Sequence, residues 1–228
     1  MLNVEKTYVV HYTRLPERRM YMDSFLRPND ISVEYITSDD QDELSNELIK
    51  EYYNPSKEEY DKKILGLYGS DSNKFRFLSR AEISCTIKHY NALDKVSKEC
   101  KEYGLIFEDD IMFVDNFVNH FNTNLSKTPD DWDAIFFGGC CGMDIEQVAK
   151  THNEVAYLKS HPASKCADGY LIRSSLAKKI TKTMKPFTTI SDWELSYQLF
   201  LHDATVYWWS PPLIAQGSEH GIFKSTLR

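Results

Sequence analysis

The sequence lacks the long apolar segments that membrane-spanning helices require. No stretch reaches the roughly 18 consecutive apolar residues that a bilayer crossing needs. The first residues, Met1-Leu-Asn-Val-Glu-Lys6, also have no apolar core behind a basic head, and such a core is the mark of a secretory signal. We therefore expect no transmembrane segment, no signal peptide and a cytoplasmic location.

An excess of basic residues is also missing. The chain has 27 Lys and Arg against 34 Asp and Glu, a formal net charge of -7, which argues against a nucleic-acid polymer as the main partner. A small phosphorylated ligand is still compatible, because it needs only a local basic cluster and a metal. There is no internal repeat and no low-complexity linker, so we expect one domain spanning residues 1–228.

The five cysteines show no C-x-x-C spacing, which disfavours a zinc knuckle. They are Cys85, Cys100, Cys140, Cys141 and Cys166. Their number is odd, and neighbouring cysteines such as the pair at 140 and 141 rarely bond to each other. A disulfide framework is therefore disfavoured, and we expect reduced thiols.

Apolar runs alternate with amphipathic segments along the whole chain, which predicts an α/β sheet flanked by helices. The predicted strands are residues 8–12, 31–36, 104–111, 133–139, 167–173 and 205–209. The predicted helices are residues 15–26, 38–49, 79–98, 116–125, 174–184 and 191–201. Residues 52–77 are polar, aromatic and aperiodic, so we expect a long loop there.

The most informative segment is Gly104-Leu-Ile-Phe-Glu-Asp-Asp-Ile111, an apolar run that ends in three acids. Crowded carboxylates repel one another unless a cation compensates them. In a strand, alternation puts Glu108 and Asp110 on one face and Asp109 on the other. Hard cations such as Mn²⁺ or Mg²⁺ prefer oxygen ligands, so this pattern predicts a metal bridging Glu108, Asp110 and a diphosphate. Alternatively, the acids only cap the next helix.

Six short motifs of this chain follow the order of the motifs of one enzyme family. They are Val9-Val-His-Tyr-Thr-Arg-Leu-Pro-Glu-Arg18, Arg80-Ala-Glu-Ile-Ser-Cys-Thr-Ile-Lys-His89, Phe107-Glu-Asp-Asp-Ile111, Trp132-Asp-Ala-Ile-Phe-Phe-Gly138, Asp168-Gly-Tyr-Leu-Ile-Arg-Ser-Ser-Leu-Ala177 and Ile190-Ser-Asp192. In this order they resemble glycosyltransferase family 25, which includes bacterial lipooligosaccharide sugar transferases and procollagen galactosyltransferases. The chain departs from the family pattern at Ser84, Lys88 and Ser191.

The resemblance implies a GT-A-type fold, a Rossmann-like mixed sheet flanked by helices that binds a nucleotide sugar with Mn²⁺ or Mg²⁺. It implies transfer of a hexose from UDP-galactose or UDP-glucose to a hydroxyl acceptor on a glycan, with inversion. Glu108 and Asp110 would hold the metal. His220 would be a further ligand, because many such enzymes close their site with a C-terminal histidine. Alternatively, His220 is an ordinary surface residue.

Transfer with inversion needs a base that removes the proton of the acceptor hydroxyl. We assign this role to Asp192, with Asp168 in reserve. Asp192 falls in the first turn of a predicted helix, where the helix dipole favours a low pKa. Ser191 and Glu194 have capping-box spacing, which gives Glu194 a structural role. Alternatively, Asp192 is only a helix-start acid.

Four further residues are expected to contact the donor nucleotide. Arg14 and Arg18 follow the first strand, and guanidinium groups suit phosphate recognition. Asp39 follows the second strand, where an acid can accept a hydrogen bond from a ribose hydroxyl. His89 belongs to a family motif and is either a donor contact or a buried histidine. The two arginines could instead be surface charges, as we expect for Arg19.

Two other functions are compatible with paired acids. A nucleotidyltransferase also uses acids and Mg²⁺, but it should have a glycine-rich phosphate loop after the first strand, and Thr13-Arg-Leu-Pro-Glu-Arg18 contains no glycine. The other alternative is a degenerate transferase that acts as a carbohydrate-binding module. The intact acid cluster argues against it, since such a module has no use for crowded carboxylates.

Overall fold

The structure is a computed structural model that describes residues 1–68, 75–139, 149–164 and 166–224, with backbone alone at 149–152. The strands are β1 (Thr7–Val10), β2 (Glu34–Ile36), β3 (Tyr103–Glu108), β4 (Ile111–Phe113), β5 (Ala134–Phe136), β6 (Ala149–His152), β7 (Ala156–Lys159), β8 (Gly169–Arg173), β9 (Val206–Trp209) and β10 (Ile214–Gln216). The helices are α1 (Pro16–Leu26), α2 (Asn46–Tyr52), α3 (Lys57–Tyr68), α4 (Arg80–Glu99), α5 (Phe117–Lys127), α6 (Ser174–Thr183) and α7 (Ser191–Leu201).

Eight strands form one mixed sheet in the order β2-β1-β3-β8-β5-β9-β7-β6. Strand β1 is parallel to β2 and β3, and β5 is parallel to β9. Strand β8 runs antiparallel between β3 and β5, and β7 is antiparallel to β9. This confirms the predicted α/β architecture, a Rossmann-like mixed sheet with helices on both faces. The domain boundary at 1–228 stays a prediction.

Neighbouring residues of the central strands are buried on opposite faces of the sheet. In β3, Ile106 joins the cluster that includes side chains of α4, α6 and α7. Leu105 and Phe107 join the other cluster, with side chains of α1 and α5. Because both faces are covered, β3 is apolar at every position from Leu105 to Phe107, the pattern of a strand buried on both sides. None of the described helices is long and apolar enough to cross a bilayer.

Helix α4 begins where the sequence predicts. The side chain of Ser79 accepts a hydrogen bond from Glu82 N, and the Glu82 carboxylate accepts one from Ser79 N. This reciprocal capping box satisfies two donors that the helix would otherwise leave free. It fixes the start of the helix that carries Cys85 and His89 past the ends of β1 and β3.

Two predictions about residues 38–77 are wrong. No helix begins at Ser38, because Asp39 has a left-handed backbone (φ 64°) and α2 starts later, capped by Ser45. Residues 52–77 are also not one long loop, since α3 lies within them. Its first turn is supported by the Ser56 side chain, which accepts a hydrogen bond from Glu59 N at 3.2 Å.

The predicted capping box at the start of α7 is also wrong. The residue in the cap position is Ile190, whose side chain has no hydrogen-bonding group. Glu194 is fully buried and forms an ion pair with Lys63 of α3, with both carboxylate oxygens within 2.7 Å of Nζ. A buried carboxylate requires a countercharge, so the pairing with Lys63 takes precedence over capping.

A small second sheet pairs β4 with β10. Its register puts Gln216 opposite Ile111, and Gly217 N donates to Asp110 O at 2.6 Å. The segment after β10 is therefore attached directly to the turn that carries the acids.

Candidate active site

The three acids lie at the carboxyl end of β3, on the floor of a cavity. Glu108 is the last residue of that strand, and Asp109 and Asp110 form the turn before β4. The walls come from the end of β1, from α1, from α4 and from the segment after β10. They include His11, Tyr12, Arg18, Ser84, Cys85, Lys88, Gln216 and Ser218. Ligands of open α/β sheets bind at this edge.

Asp109 supports the turn, but strand alternation is not the reason, because β3 ends at Glu108 and all three acids line the same cavity. One of its carboxylate oxygens accepts a hydrogen bond from Arg18 Nη1 at 2.7 Å. The other lies 2.7 Å from His11 Nδ1 and accepts a bond from Tyr12 N at 3.3 Å. With both oxygens engaged by protein, Asp109 is a structural anchor for its two neighbours.

The negative charges of Asp110 and Glu108 are compensated less fully than that of Asp109. Burial, followed by the charge of Glu108, raises the pKa of Asp110 to about 6. Asp110 Oδ1 is buried without a hydrogen-bond partner among the described residues, and so is Oδ2 of neighbouring Asp168. Arg18 Nη1 lies 3.7 Å from Asp110 Oδ2 and offsets only part of the charge.

These residues fit a hard divalent cation. The donors are carboxylate oxygens, one of them, Asp110 Oδ1, is buried and unpartnered among the described residues, and burial of like charges without compensation is costly. The alternative that the acids cap a helix is wrong, because the next helix, α5, has Asn116 in its cap position.

Asp192 lies close to Glu108, whose charge acts on it. It lines a second cavity with Glu82 and Ser191, and both cavities share Cys85, Glu108 and Gln216. The two cavities therefore meet at the acid that ends β3.

The predicted low pKa of Asp192 is wrong. Its Oδ1 accepts a hydrogen bond from Ala167 N at 3.0 Å. Burial, followed by the charge of Glu108, nevertheless raises the pKa of Asp192 to about 6. Desolvation and a nearby like charge outweigh the helix dipole, whose effect is modest. A carboxylate with a pKa in this range is suited to general-base work near neutral pH.

Asp168, the reserve base, is almost fully buried and is not among the residues that line either cavity. Its Oδ1 accepts a bond from Gly169 N, and its backbone oxygen accepts one from Glu108 N. Burial, together with Glu108 and Asp192, raises the pKa of Asp168 well above its usual range. Asp168 therefore supports the backbone of the acid cluster, and its burial leaves it poorly placed to contact an acceptor.

His89 lies against the acids. Its Nε2 is 3.2 Å from Glu108 Oε1, and its Nδ1 is 3.3 Å from Tyr170 OH.

Cys85 and Cys100 are free thiols, whereas Cys166 is disulfide-bonded, contrary to our expectation of reduced cysteines. Cys140 and Cys141 lie outside the described residues.

Besides His89, three predicted site residues are not among those that line the two cavities. The Arg14 side chain is 70% exposed and sits 3.7 Å from Asp42. Asp39 accepts a hydrogen bond from Asn91 Nδ2 at 2.8 Å. His220 is exposed in the turn that follows β10. Their proposed contacts with nucleotide or metal, like that of Arg18, stay predictions.

The sequence did not indicate the buried pair of Lys88 and Asp40. Lys88 Nζ donates to His11 O and to the Asp40 carboxylate, which also accepts bonds from the backbone N and the hydroxyl of Thr13. The only signal was the departure from the family pattern at Lys88. Asp39 and Asp40 both follow β2, so the position after the strand does not by itself distinguish the acid predicted to bind ribose, Asp39, from its neighbour.

Comparison with known protein families also identifies the family whose motifs this chain resembles. The family described as "Glycosyltransferase family 25 (LPS biosynthesis protein)" matches residues 4–195. The chain belongs to glycosyltransferase family 25. The resemblance seen in the sequence is thus confirmed, and family 25 places the chain among the glycosyltransferases.

Some curated relatives of this chain have names that describe an active galactosyltransferase, and others have names that describe an inactive protein. A "Glycosyltransferase 25 family member" of Aedes aegypti is 26% identical over 185 residues, covering 78% of this chain and 28% of the relative. "Procollagen galactosyltransferase 2" of Homo sapiens is 25% identical over 78% of this chain and 28% of the relative. A "Probable inactive glycosyltransferase 25 family member 3" of Rattus norvegicus is 26% identical over 60% of this chain and 23% of the relative. The chain spans less than a third of these relatives.

Proposed function

We propose that this family 25 chain is a metal-dependent, GT-A-type transferase that moves a hexose from a UDP-sugar to a hydroxyl acceptor on a glycan, with inversion. UDP-galactose and UDP-glucose are the proposed donors. The single observation that carries the proposal is the pair Glu108 and Asp110. They are crowded at the end of β3, and Asp110 has a buried oxygen without a hydrogen-bond partner.

Glu108 and Asp110 would hold Mn²⁺ or Mg²⁺, with His220 as a further ligand. When bound, such a cation stabilises the negative charge that develops on the leaving nucleoside diphosphate. The chain's own contribution is orientation. Asp109 is clamped by Arg18 and His11, so the backbone on which both metal-binding acids sit is fixed before a donor arrives.

The two cavities support a division between donor and acceptor. We assign the larger set of cavity walls, which includes Arg18 and both proposed metal-binding acids, to the nucleotide diphosphate, because a cation held by Glu108 and Asp110 would bind it there. We assign the cavity lined by Asp192, which meets the first one at Glu108, to the acceptor. An acceptor hydroxyl placed there would lose its proton to Asp192 as it attacks the sugar. Attack from the side opposite the leaving group is the geometry of inversion.

A degenerate transferase that only binds carbohydrate is the second candidate. The observation in its favour is that two of the relatives carry names that call them inactive. Loss of catalysis is expected to remove the acids that hold the metal, and Glu108 and Asp110 are both present. The absence of glycine between Thr13 and Arg18 argues against the nucleotidyltransferase alternative.

The deciding experiment is a panel of sugar nucleotides assayed for Mn²⁺-dependent hydrolysis and for binding. We expect hydrolysis of UDP-galactose or UDP-glucose, and we expect Asp110→Asn to abolish it without changing the circular dichroism spectrum. Asp130→Asn, an exposed change away from the site, is the matched control. If the protein neither binds nor hydrolyses any of the sugar nucleotides, the proposal is refuted. Wild-type turnover in Asp110→Asn would remove Asp110 from the metal site.

A further inference from the structure

Three side chains of different chemistry converge beside the acid turn. Cys85 and His89 are four residues apart on α4, so both lie on one face of that helix. Glu108 reaches them from the end of β3. One ligand atom from each, the sulfur of Cys85, a ring nitrogen of His89 and a carboxylate oxygen of Glu108, all lie within 4.8 Å of one another.

This donor set differs from the one expected for a hard cation. Mn²⁺ and Mg²⁺ favour oxygen, whereas a thiolate and an imidazole together select a softer ion such as Zn²⁺. Ligand atoms stand about 2.0–2.3 Å from a bound Zn²⁺, so any two of them lie less than about 4.6 Å apart. The three atoms therefore need only small side-chain rotations to share one ion.

The surroundings of His89 favour ligation through Nε2. Its Nδ1 lies 3.3 Å from the hydroxyl of Tyr170, which is fully buried, while Nε2 points to Glu108. A cation at Nε2 would replace the proton that Nε2 shares with the Glu108 carboxylate, and the Tyr170 hydroxyl would then accept a hydrogen bond from Nδ1–H, as is usual for metal-binding histidines. Entry is also provided, because Cys85 and Glu108 line both cavities.

We propose that Cys85, His89 and Glu108 form a second metal site, for a borderline-soft divalent cation such as Zn²⁺, which overlaps the proposed manganese site through Glu108. Binding releases the thiol proton of Cys85 to solvent and involves no change of oxidation state. Since one carboxylate is shared, the two ions compete, and zinc at this site inhibits a manganese-dependent reaction. The inhibition rests on the proposed function, whereas the site itself needs no sugar nucleotide and can be tested without transferase activity.

Titration of the metal-free protein with Co²⁺, an optical substitute for Zn²⁺, tests the site. We expect a near-ultraviolet thiolate-to-cobalt charge-transfer band that Zn²⁺ removes by displacement. Cys85→Ser should abolish the band, and Cys100→Ser, which changes the other free thiol of the described residues, should keep it. No band in the wild-type protein, or a band that survives in Cys85→Ser, overturns the proposal.

A second variant keeps the test sharp if Cys85→Ser fails to fold. Tyr170→Phe removes only the hydroxyl partner of His89 and should lower Co²⁺ affinity about ten- to hundredfold. Unchanged affinity would contradict the assigned role of His89. Asp110→Asn separates the two sites, because it should lose Mn²⁺-dependent hydrolysis and retain the cobalt band. Loss of the band in that variant would mean that there is one metal site and not two.

Discussion

Asp192 illustrates how surroundings decide the chemistry of a residue. Its place in the first turn of α7 is readable from the sequence, but its pKa is set by burial and by Glu108, which lies 84 positions away along the chain. The result is a carboxylate that is ionised at neutral pH yet retains proton affinity. The helix dipole alone would have produced a weaker base.

Asp192→Asn should lower kcat by about 10²- to 10⁴-fold, the usual contribution of a general base. Amide and carboxylate are nearly the same size, so the bond from Ala167 N can be kept and the fold should persist. Steady-state hexose transfer and circular dichroism are the measurements, with Asp130→Asn as control. A variant that retains more than about a tenth of wild-type kcat would assign the proton to another group.

Gly138 is required by the buried carboxylate of Asp168. A methyl group at residue 138 would overlap that carboxylate, whereas at Gly66 of α3 the nearest atom is 3.8 Å away. Gly138→Ala should therefore cost about 1–3 kcal/mol of unfolding free energy. Gly66→Ala, the matched control, should gain about 0.5–1 kcal/mol. Urea unfolding measures both, and equal stability of the two variants would contradict the argument.

At the level of single residues, the sequence located the acids but not their partners. Glu108, Asp110 and Asp192 stand in short local motifs, so their places at the end of β3, in the following turn and at the start of α7 are readable from the sequence. The partnership of Lys88 with Asp40, and that of Cys85 with Glu108, join elements that lie far apart in sequence. Neither leaves a local pattern, so only the folded chain could reveal them.

Helix α3 is an element whose purpose is visible only in the fold. It provides Lys63, which neutralises Glu194 and so secures the first turns of α7, where Asp192 lies. The local sequence predicted a loop because the apolar periodicity of this segment is weak. Strands β4 and β10 were missed for a related reason, since three residues carry too little pattern and their pairing partner is about 100 positions away.

Lys63→Met should destabilise the protein by about 3–5 kcal/mol, because it leaves the charge of Glu194 buried without compensation. The double variant Lys63→Met/Glu194→Gln removes that charge and should recover most of the loss. Lys62→Met is the matched control, since Lys62 pairs with exposed glutamates of the same helix and should change stability by less than about 1 kcal/mol. Urea unfolding measures the free energy of unfolding of each variant. If the losses of the two single changes simply add in the double variant, the pairing is contradicted.

For the whole molecule, the acid cluster makes stability depend on pH and on metal. Asp110 and Asp192 have folded-state pKa values of about 6, above the ordinary value of about 3.9. The folded state thus binds their protons more tightly than the unfolded state does. Their stabilising contribution is present below about pH 4 and is lost as the pH rises through about 6.

Mn²⁺ should offset this loss. We expect the added ion to raise Tm more at about pH 8 than at about pH 5, because protonated Asp110 competes with the metal at the lower pH. Thermal unfolding followed by circular dichroism is the measurement. In Asp110→Asn the Mn²⁺-induced shift should shrink strongly, and an undiminished shift would place the ion elsewhere.

The order of strands in the sheet has a practical consequence for dissecting this protein. Similarity to family 25 ends at residue 195, within α7, yet β9 lies between β5 and β7 and Gln216 contacts Glu108 from β10. A truncation at the limit of detectable similarity would remove an interior strand and one wall of the cavity. The segment that matches family 25 is therefore shorter than the segment that builds the sheet and the cavity.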